Sequence, residues 1–187
     1  APKHVIVPMA GGSLIIKIGK AIKEMIDLGL IEKSNMALYG AQASGSSPIT
    51  TAVKKESDVI APVIPNTIAH SIAIGNPADG YYSVKAINNS GGCAEDVSDE
   101  ELVEGIKLLA STEGIFTETA GGVTVAVTKK LIEQGKLPRD ESIVMCITGN
   151  GLKTLEAVMD KVEKPCAIEA NIESFNAIME KKEACTV

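Results

Sequence analysis

The sequence predicts an α/β protein in which helices cover both faces of a parallel β-sheet, as a three-layer domain. With 187 residues, 45% of them hydrophobic and 22% charged, the chain is long enough for one core. It has no tryptophan, three tyrosines and two phenylalanines, so the core must consist of Ile, Val, Leu and Ala. Such a core suits helices on a parallel sheet better than an antiparallel sandwich. Short apolar runs also alternate with segments of helical period.

The amino-terminal elements repeat a strand, loop and helix order. "HVIVP" is a short apolar strand ended by proline, "MAGGSL" is a loop, and residues 15–31 have apolar side chains at helical spacing. "NMALYGAQASGSSP" predicts a second strand and a small-residue turn, and "SPITTAVKK" predicts a helix with Pro48 in its first turn. Residues 57–80 contain prolines and show no sustained period, which predicts a long functional loop.

Two further helices carry clear end signals. Ser98 and Glu101 in "VSDEELVEGIKLLASTEG" predict a capping box, and Gly114 predicts the end of that helix. "TAGGVTVAVTKKLIEQGKLP" predicts a helix with a glycine-rich start that ends near Gly135 and Pro138.

The last third of the chain begins with "SIVMCI", which predicts a buried strand that leads into a "TGNG" turn. The tail, residues 155–187, predicts one short strand and a last helix. Because the chain contains no repeat, low-complexity tract or linker, we expect residues 1–187 to form a single α/β domain.

Composition excludes several classes of partner. The net charge is −6 and the pI is about 5.0, and basic residues form no cluster, which argues against nucleic acid and anionic membranes. No apolar run approaches the roughly 18 residues of a membrane span, and the start lacks the layout of a secretory signal. We therefore expect a cytoplasmic protein. The four cysteines are far apart and only two histidines are present, so we expect no metal site, and Cys146 is most simply a small buried hydrophobe.

Two stretches carry possible ligand chemistry. "VIVPMAGGSLI" places consecutive backbone amides between a strand and a helix N-terminus, which is either a phosphate site or a tight turn with glycines for packing. It is neither a P-loop nor a G-x-G-x-x-G motif. In "TGNGLK", Thr148 either caps the following helix or offers its hydroxyl to a ligand at the end of a strand. Together the two stretches would hold a flat phosphorylated ring from two sides.

These motifs, together with "GAQASGSSPI" and "NTIAHSIAIGNPADGYYSVKAI", occur in the order found in the carboxyl-terminal half of threonine synthases, which the chain resembles over residues 4 to about 155. Threonine synthases are pyridoxal phosphate enzymes of the tryptophan-synthase-like fold that convert O-phosphohomoserine and water to threonine and phosphate. The resemblance implies that Thr148 donates a hydrogen bond to the pyridine nitrogen. It also implies a set of residues that bind the cofactor phosphate, namely Ala10, Gly11, Gly12, Ser13 and Leu14.

The sequence departs from the family pattern at three points. Ala10 stands where glycine is common, which requires a negative φ there, and Thr119 replaces a proline. The family's Schiff-base lysine lies in an S-F-K-D-like stretch of the amino-terminal half, and no such stretch occurs here. Lys153 is most simply a lysine at the surface or one that supports a residue of the site. Because the Schiff-base stretch is absent, we expect no catalytic residue in this chain.

The resemblance therefore implies roughly the second half of an enzyme, a fragment or split subunit that needs its amino-terminal half as a partner. It also implies a phosphorylated amino acid as substrate and a homodimer when complete. Two alternatives stay open: a paralogue such as a cysteate synthase, which uses phosphoserine and sulfite, or a non-catalytic binding or regulatory domain.

Four more residues are weaker candidates. Glu118 lies either near the cofactor ring or at a helix start, where its negative charge would interact favourably with the positive end of the helix dipole. Asn76 and Asp79 either face the cleft or form turns, and His70 is more simply a packed or capping residue than a base.

Overall fold

The computed structural model describes residues 1–162 and 167–184, the last four by backbone only. Within these residues, four strands form a parallel sheet, namely β1 (His4–Pro8), β2 (Ala37–Ala43), β3 (Ala94–Val97) and β4 (Ile143–Met145). Their order across the sheet is β3-β2-β1-β4. The first strand along the chain therefore lies inside the sheet, and the two later strands form its edges.

Helices cover both faces of this sheet, as predicted. The helices are α1 (Ser13–Asp27), α2 (Pro48–Lys54), α3 (Gly80–Asn89), α4 (Asp99–Glu113), α5 (Thr119–Glu133) and α6 (Ile172–Ala184). Ile6 and Tyr39 pack with α4 and α5 on one face, whereas Val5, Val7 and Leu38 pack with α1, α2 and α3 on the other. Short 3-10 helices span Ser44–Ser46, His70–Ile72 and Gly151–Ala157.

The helix-end signals are confirmed where residues form local caps. Glu101 N–H donates to Ser98 Oγ at 3.2 Å, and Ser98 N–H donates to the Glu101 carboxylate at 2.7 Å, which completes the capping box. Gly114 ends α4 with φ of +68°, and Pro48 begins α2. The helix predicted to run to residue 31 ends at Asp27 instead, because the chain turns at residues 28–30 and donates back to α1.

The predicted loop over residues 57–80 is confirmed as far as Asp79, apart from one 3-10 turn at His70–Ile72, whereas Gly80 already begins a helix. The sequence reading missed the two elements that follow the loop. These are α3 and β3. The strand β4 was predicted as buried, and this is wrong: it is a three-residue edge strand in which Val144 is 44% and Met145 is 38% exposed. In the tail, α6 is confirmed, while the described tail residues contain no strand.

The edge strand β3 carries a buried carboxylate that several cations and donors surround. The Glu95 side chain is 5% exposed and receives a hydrogen bond from Lys54 Nζ. Lys136 Nζ lies 3.7 Å from the same carboxylate, and Gln134 donates to it at 3.2 Å. Burial alone would raise the pKa of Glu95, but the hydrogen bonds from Lys54 and the Asp96 backbone lower the pKa to about 2. Glu95 is therefore charged at neutral pH.

Both cysteines in the described residues are free thiols. Cys93 and Cys146 are half-buried, and burial raises the pKa of each, so neither is an activated thiolate. Cys166 and Cys185 lie outside the described residues. Among the described helices, none has both the length and the apolar character to cross a membrane.

Candidate cofactor site

A cleft of about 430 Å³ lies at the carboxyl end of the sheet, between the segments that follow β1 and β4. All six predicted cofactor residues line it, namely Ala10, Gly11, Gly12, Ser13, Leu14 and Thr148. Pro8 at the end of β1 and Glu118 before α5 also line it. The sequence reading missed four further lining residues, namely Ser71, Ile72 and Ile74 from the long loop and Ala120 from α5. The structure thus brings together chain segments that are far apart in sequence.

The loop after β1 presents backbone amides at the N-terminus of α1. In the described part of the chain, the amides of residues 10–14 donate to no protein acceptor. Gly12 caps the helix with φ of +100°, whereas Ala10 has a negative φ, as its side chain requires. Free amides and the positive end of a helix dipole together favour an anion such as phosphate.

Two residues near the start of α3 hold this loop in shape. Asp79 N–H donates to Gly11 O at 3.0 Å, and the Asp79 carboxylate accepts a hydrogen bond from the Ser13 hydroxyl. Buried Ser83 Oγ donates to Gly12 O at 3.2 Å and lies 3.0 Å from Asp79 O. A β-carbon on Gly12 would lie 2.1 Å from Ser83 Oγ, so only glycine fits there. Asp79 and Ser83 therefore fix the loop on the side away from the cleft, and the loop amides remain free on the cleft side.

Asn76 and His70 do not line the cleft. Both are exposed in the long loop, so the expectation that His70 is packed is wrong. Asp79, by contrast, reaches the cleft wall through Ser13.

The turn that carries Thr148 is fixed by the segment before α5. Thr117 Oγ1 donates to Gly149 O at 3.0 Å, and Glu118 N–H donates to the same oxygen at 3.1 Å. The side chain of Asn150, not that of Thr148, caps the following 3-10 helix by accepting from Leu152 N–H at 2.9 Å. The helix-cap alternative for Thr148 is therefore wrong, and its hydroxyl is available at the exposed face of the turn.

Glu118 lies on the cleft wall at the start of α5. Its side chain is 5% exposed and forms an ion pair with Lys153 Nζ at 2.9 Å. The next residue, Thr119, donates its N–H to Thr154 Oγ1 at 3.3 Å, a bond that the family's proline could not make. Lys153 is thus an exposed lysine that pairs with a buried carboxylate and does not itself line the cleft.

The donor set fits pyridoxal phosphate. One wall offers free amides for a phosphate, and the other offers a neutral hydroxyl that can donate to a pyridine nitrogen. The described residues contain no group of three or more side chains that would hold a metal ion.

Comparisons with known proteins agree with this fit. The family described as "Pyridoxal-phosphate dependent enzyme" matches residues 1–149. The threonine synthase of Methanocaldococcus jannaschii is 42% identical over 181 residues, which is 96% of this chain and 44% of that protein. The threonine synthase of Methanosarcina acetivorans is 38% identical over 93% of this chain and 43% of its own length. The chain spans less than half the length of these curated relatives.

Solved structures share the fold at low sequence identity. Threonine deaminase isoform 2 from Solanum lycopersicum superposes with a TM-score of 0.66 at 18% identity, over 87% of this chain and 45% of that one. Maize serine racemase superposes with a TM-score of 0.62 at 20% identity, over 86% of this chain and 48% of the racemase chain. The predicted cofactor and the resemblance to threonine synthases are confirmed by these matches, and the chain belongs to the family of pyridoxal-phosphate dependent enzymes.

Proposed function

We propose that this chain provides the cofactor-binding half of a threonine synthase, which converts O-phosphohomoserine and water to threonine and phosphate. The observation that carries the proposal is the cleft with its two walls, amides at residues 10–14 and a hydroxyl at Thr148. Sequence identity of 42% to a threonine synthase, over 96% of the chain, supports this reaction over others of the family.

Each wall has one role in the proposed function. The amides of residues 10–14 bind the cofactor phosphate, with Asp79 and Ser83 holding the loop in place. Thr148 donates to the ring nitrogen and orients the ring. Bound pyridoxal phosphate supplies an electron sink for carbanions. A hydroxyl partner leaves the ring nitrogen largely unprotonated, so the sink is weaker and side reactions such as transamination are limited.

The other half of the enzyme is part of the proposal. The sequence contains no S-F-K-D-like stretch, and Lys153 is already paired with Glu118. The lysine that binds the cofactor covalently and the residues that grip the substrate would come from an amino-terminal half. We further propose that residues 1–187 act as one domain of this enzyme, and that the complete enzyme is a cytoplasmic homodimer.

The test is to produce this chain together with the amino-terminal half encoded upstream and to supply O-phosphohomoserine. We expect release of inorganic phosphate with an equal amount of threonine, identified by mass spectrometry. Phosphoserine with sulfite is the matched control substrate. Cysteate formation from the control, without threonine from O-phosphohomoserine, would contradict the proposed reaction and favour a cysteate synthase. Cofactor binding without turnover of either substrate would instead favour a regulatory domain.

A further inference from the structure

Glu118 and Lys153 form an ion pair on the wall of the cleft, and neither residue has a role in the proposed binding of the cofactor. The Glu118 side chain is 5% exposed, whereas that of Lys153 is 61% exposed, and Lys153 Nζ lies 2.9 Å from Glu118 Oε2. A buried carboxylate without a partner is costly. Lys153 is the cation that pairs with the buried Glu118 side chain at the cleft.

The carboxylate lies beside the turn that carries Thr148. A β-carbon placed on Gly149 would lie 2.1 Å from Glu118 Oε1, so the carboxylate packs directly against the residue that follows Thr148. Glu118 N–H also donates to Gly149 O at 3.1 Å. Glu118 and Thr148 line the same cleft. A group bound to the Thr148 hydroxyl would therefore share the cleft with this carboxylate.

We propose that Lys153 is a positioning residue that neutralises the Glu118 carboxylate and thereby keeps the ring nitrogen of the cofactor unprotonated. This inference rests on the proposed function, in which Thr148 donates to that nitrogen. A lone carboxylate within about 4–6 Å of a base favours the protonated, cationic form of the base. An unpaired Glu118 would thus produce the strong electron sink that a threonine partner avoids. With Lys153 in place, the pair is neutral overall and the nitrogen accepts only the hydroxyl hydrogen bond.

The test uses the complete enzyme loaded with pyridoxal phosphate that carries ¹⁵N at the ring nitrogen, because the ¹⁵N chemical shift distinguishes a protonated from an unprotonated ring. In Lys153→Met we expect the ratio of protonated to unprotonated ring to rise about tenfold, as for a pKa increase of about one unit. Lys153→Arg keeps the charge and should keep the wild-type shift. Lys129→Met is the matched control, since Lys129 is 62% exposed and pairs with Glu133 at 3.4 Å away from the cleft.

The double variant Glu118→Gln with Lys153→Met separates charge from structure, because it removes both members of the pair. We expect it to return the ¹⁵N shift to the wild-type value. Two results would overturn this inference and leave the proposed function standing. One is a wild-type ¹⁵N shift in Lys153→Met with the cofactor bound. The other is a double variant whose ¹⁵N shift equals that of Lys153→Met. Wild-type enzyme that retains no labelled cofactor would overturn the proposed function as well.

Discussion

Replacing Gly12 by alanine should destabilise the protein, and the structure gives two separate reasons. Gly12 has φ of +100°, where a residue with a β-carbon costs about 1–2 kcal/mol. The new methyl group would also lie 2.1 Å from Ser83 Oγ. Ser83 would have to turn away and give up its bond to Gly12 O inside the core. A buried hydroxyl left unpaired costs about 1–3 kcal/mol, so we expect a loss of about 2–5 kcal/mol in unfolding free energy.

Urea unfolding at neutral pH measures this loss, and Gly29→Ala is the matched control. Gly29 has φ of +69°, but a β-carbon there would meet nothing within 4 Å, so its substitution should cost only the backbone term of about 1–2 kcal/mol. Ser83→Ala removes the colliding oxygen, and in that background Gly12→Ala should cost less than it does alone. The affinity for pyridoxal phosphate should fall in Gly12→Ala and stay unchanged in Gly29→Ala.

Two results would refute the reasoning. Equal losses from Gly12→Ala and Gly29→Ala would show that contact with Ser83 does not restrict residue 12. A Gly12→Ala protein that binds pyridoxal phosphate with full affinity would show that the loop does not hold the phosphate.

Three further predictions concern the hydroxyl, the lysines and the buried acid. In the complete enzyme, Thr148→Val should lower cofactor affinity or turnover roughly ten- to a hundredfold with an unchanged circular dichroism spectrum, and a variant with wild-type affinity and rate would remove the role of the hydroxyl. The isolated chain, mixed with pyridoxal phosphate and borohydride, should give no lysine adduct by mass spectrometry, and an adduct at Lys153 would contradict the need for a second half. Because the pKa of Glu95 is about 2 in the fold against 4.5 normally, its contribution to the unfolding free energy, at most about 3.4 kcal/mol, is present above pH 4.5 and is lost as the pH falls toward 2. Urea midpoints between pH 6 and pH 2 should therefore fall more steeply for the wild type than for Glu95→Gln, and parallel curves would argue against the shift.

The sequence predicted those strands and helices whose signals are local. Apart from His4 and Gln42, β1 and β2 consist of apolar and small residues, as strands buried on both faces should. β3 was missed because Glu95 and Asp96 are poor strand formers, and partners from distant segments make their place in the sheet favourable. α3 was missed because Tyr81 and Tyr82, both exposed, obscure the period set by its buried residues.

The candidate site was predictable where it depends on motifs and not where it depends on tertiary contacts. The loop after β1 and the turn at Thr148 both carry glycines next to a strand end, which is a readable signal. The contributions of Ser71, Ile72 and Ile74 come from a loop without period. The pairing of Glu118 with Lys153 joins residues that are 35 positions apart, so no local pattern could indicate it.

We expect the short edge strand β4 to couple ligand binding to local unfolding. Among the strands that the structure describes, β4 pairs with β1 alone, through three residues, yet it leads to the turn that forms one wall of the cleft. A ligand held by both walls binds only molecules in which β4 is docked, so it lowers the fraction of opened molecules by the factor 1 + [L]/Kd. In native-state hydrogen exchange, the amide of Cys146, which donates to Ile6 O, would report this opening. Its protection from exchange should increase with cofactor concentration. The protection of amides in the interior strands, which exchange through global unfolding, sets the upper limit of this increase. Opening of β4, the least stable part of the cleft, would then set the rate at which the cofactor dissociates.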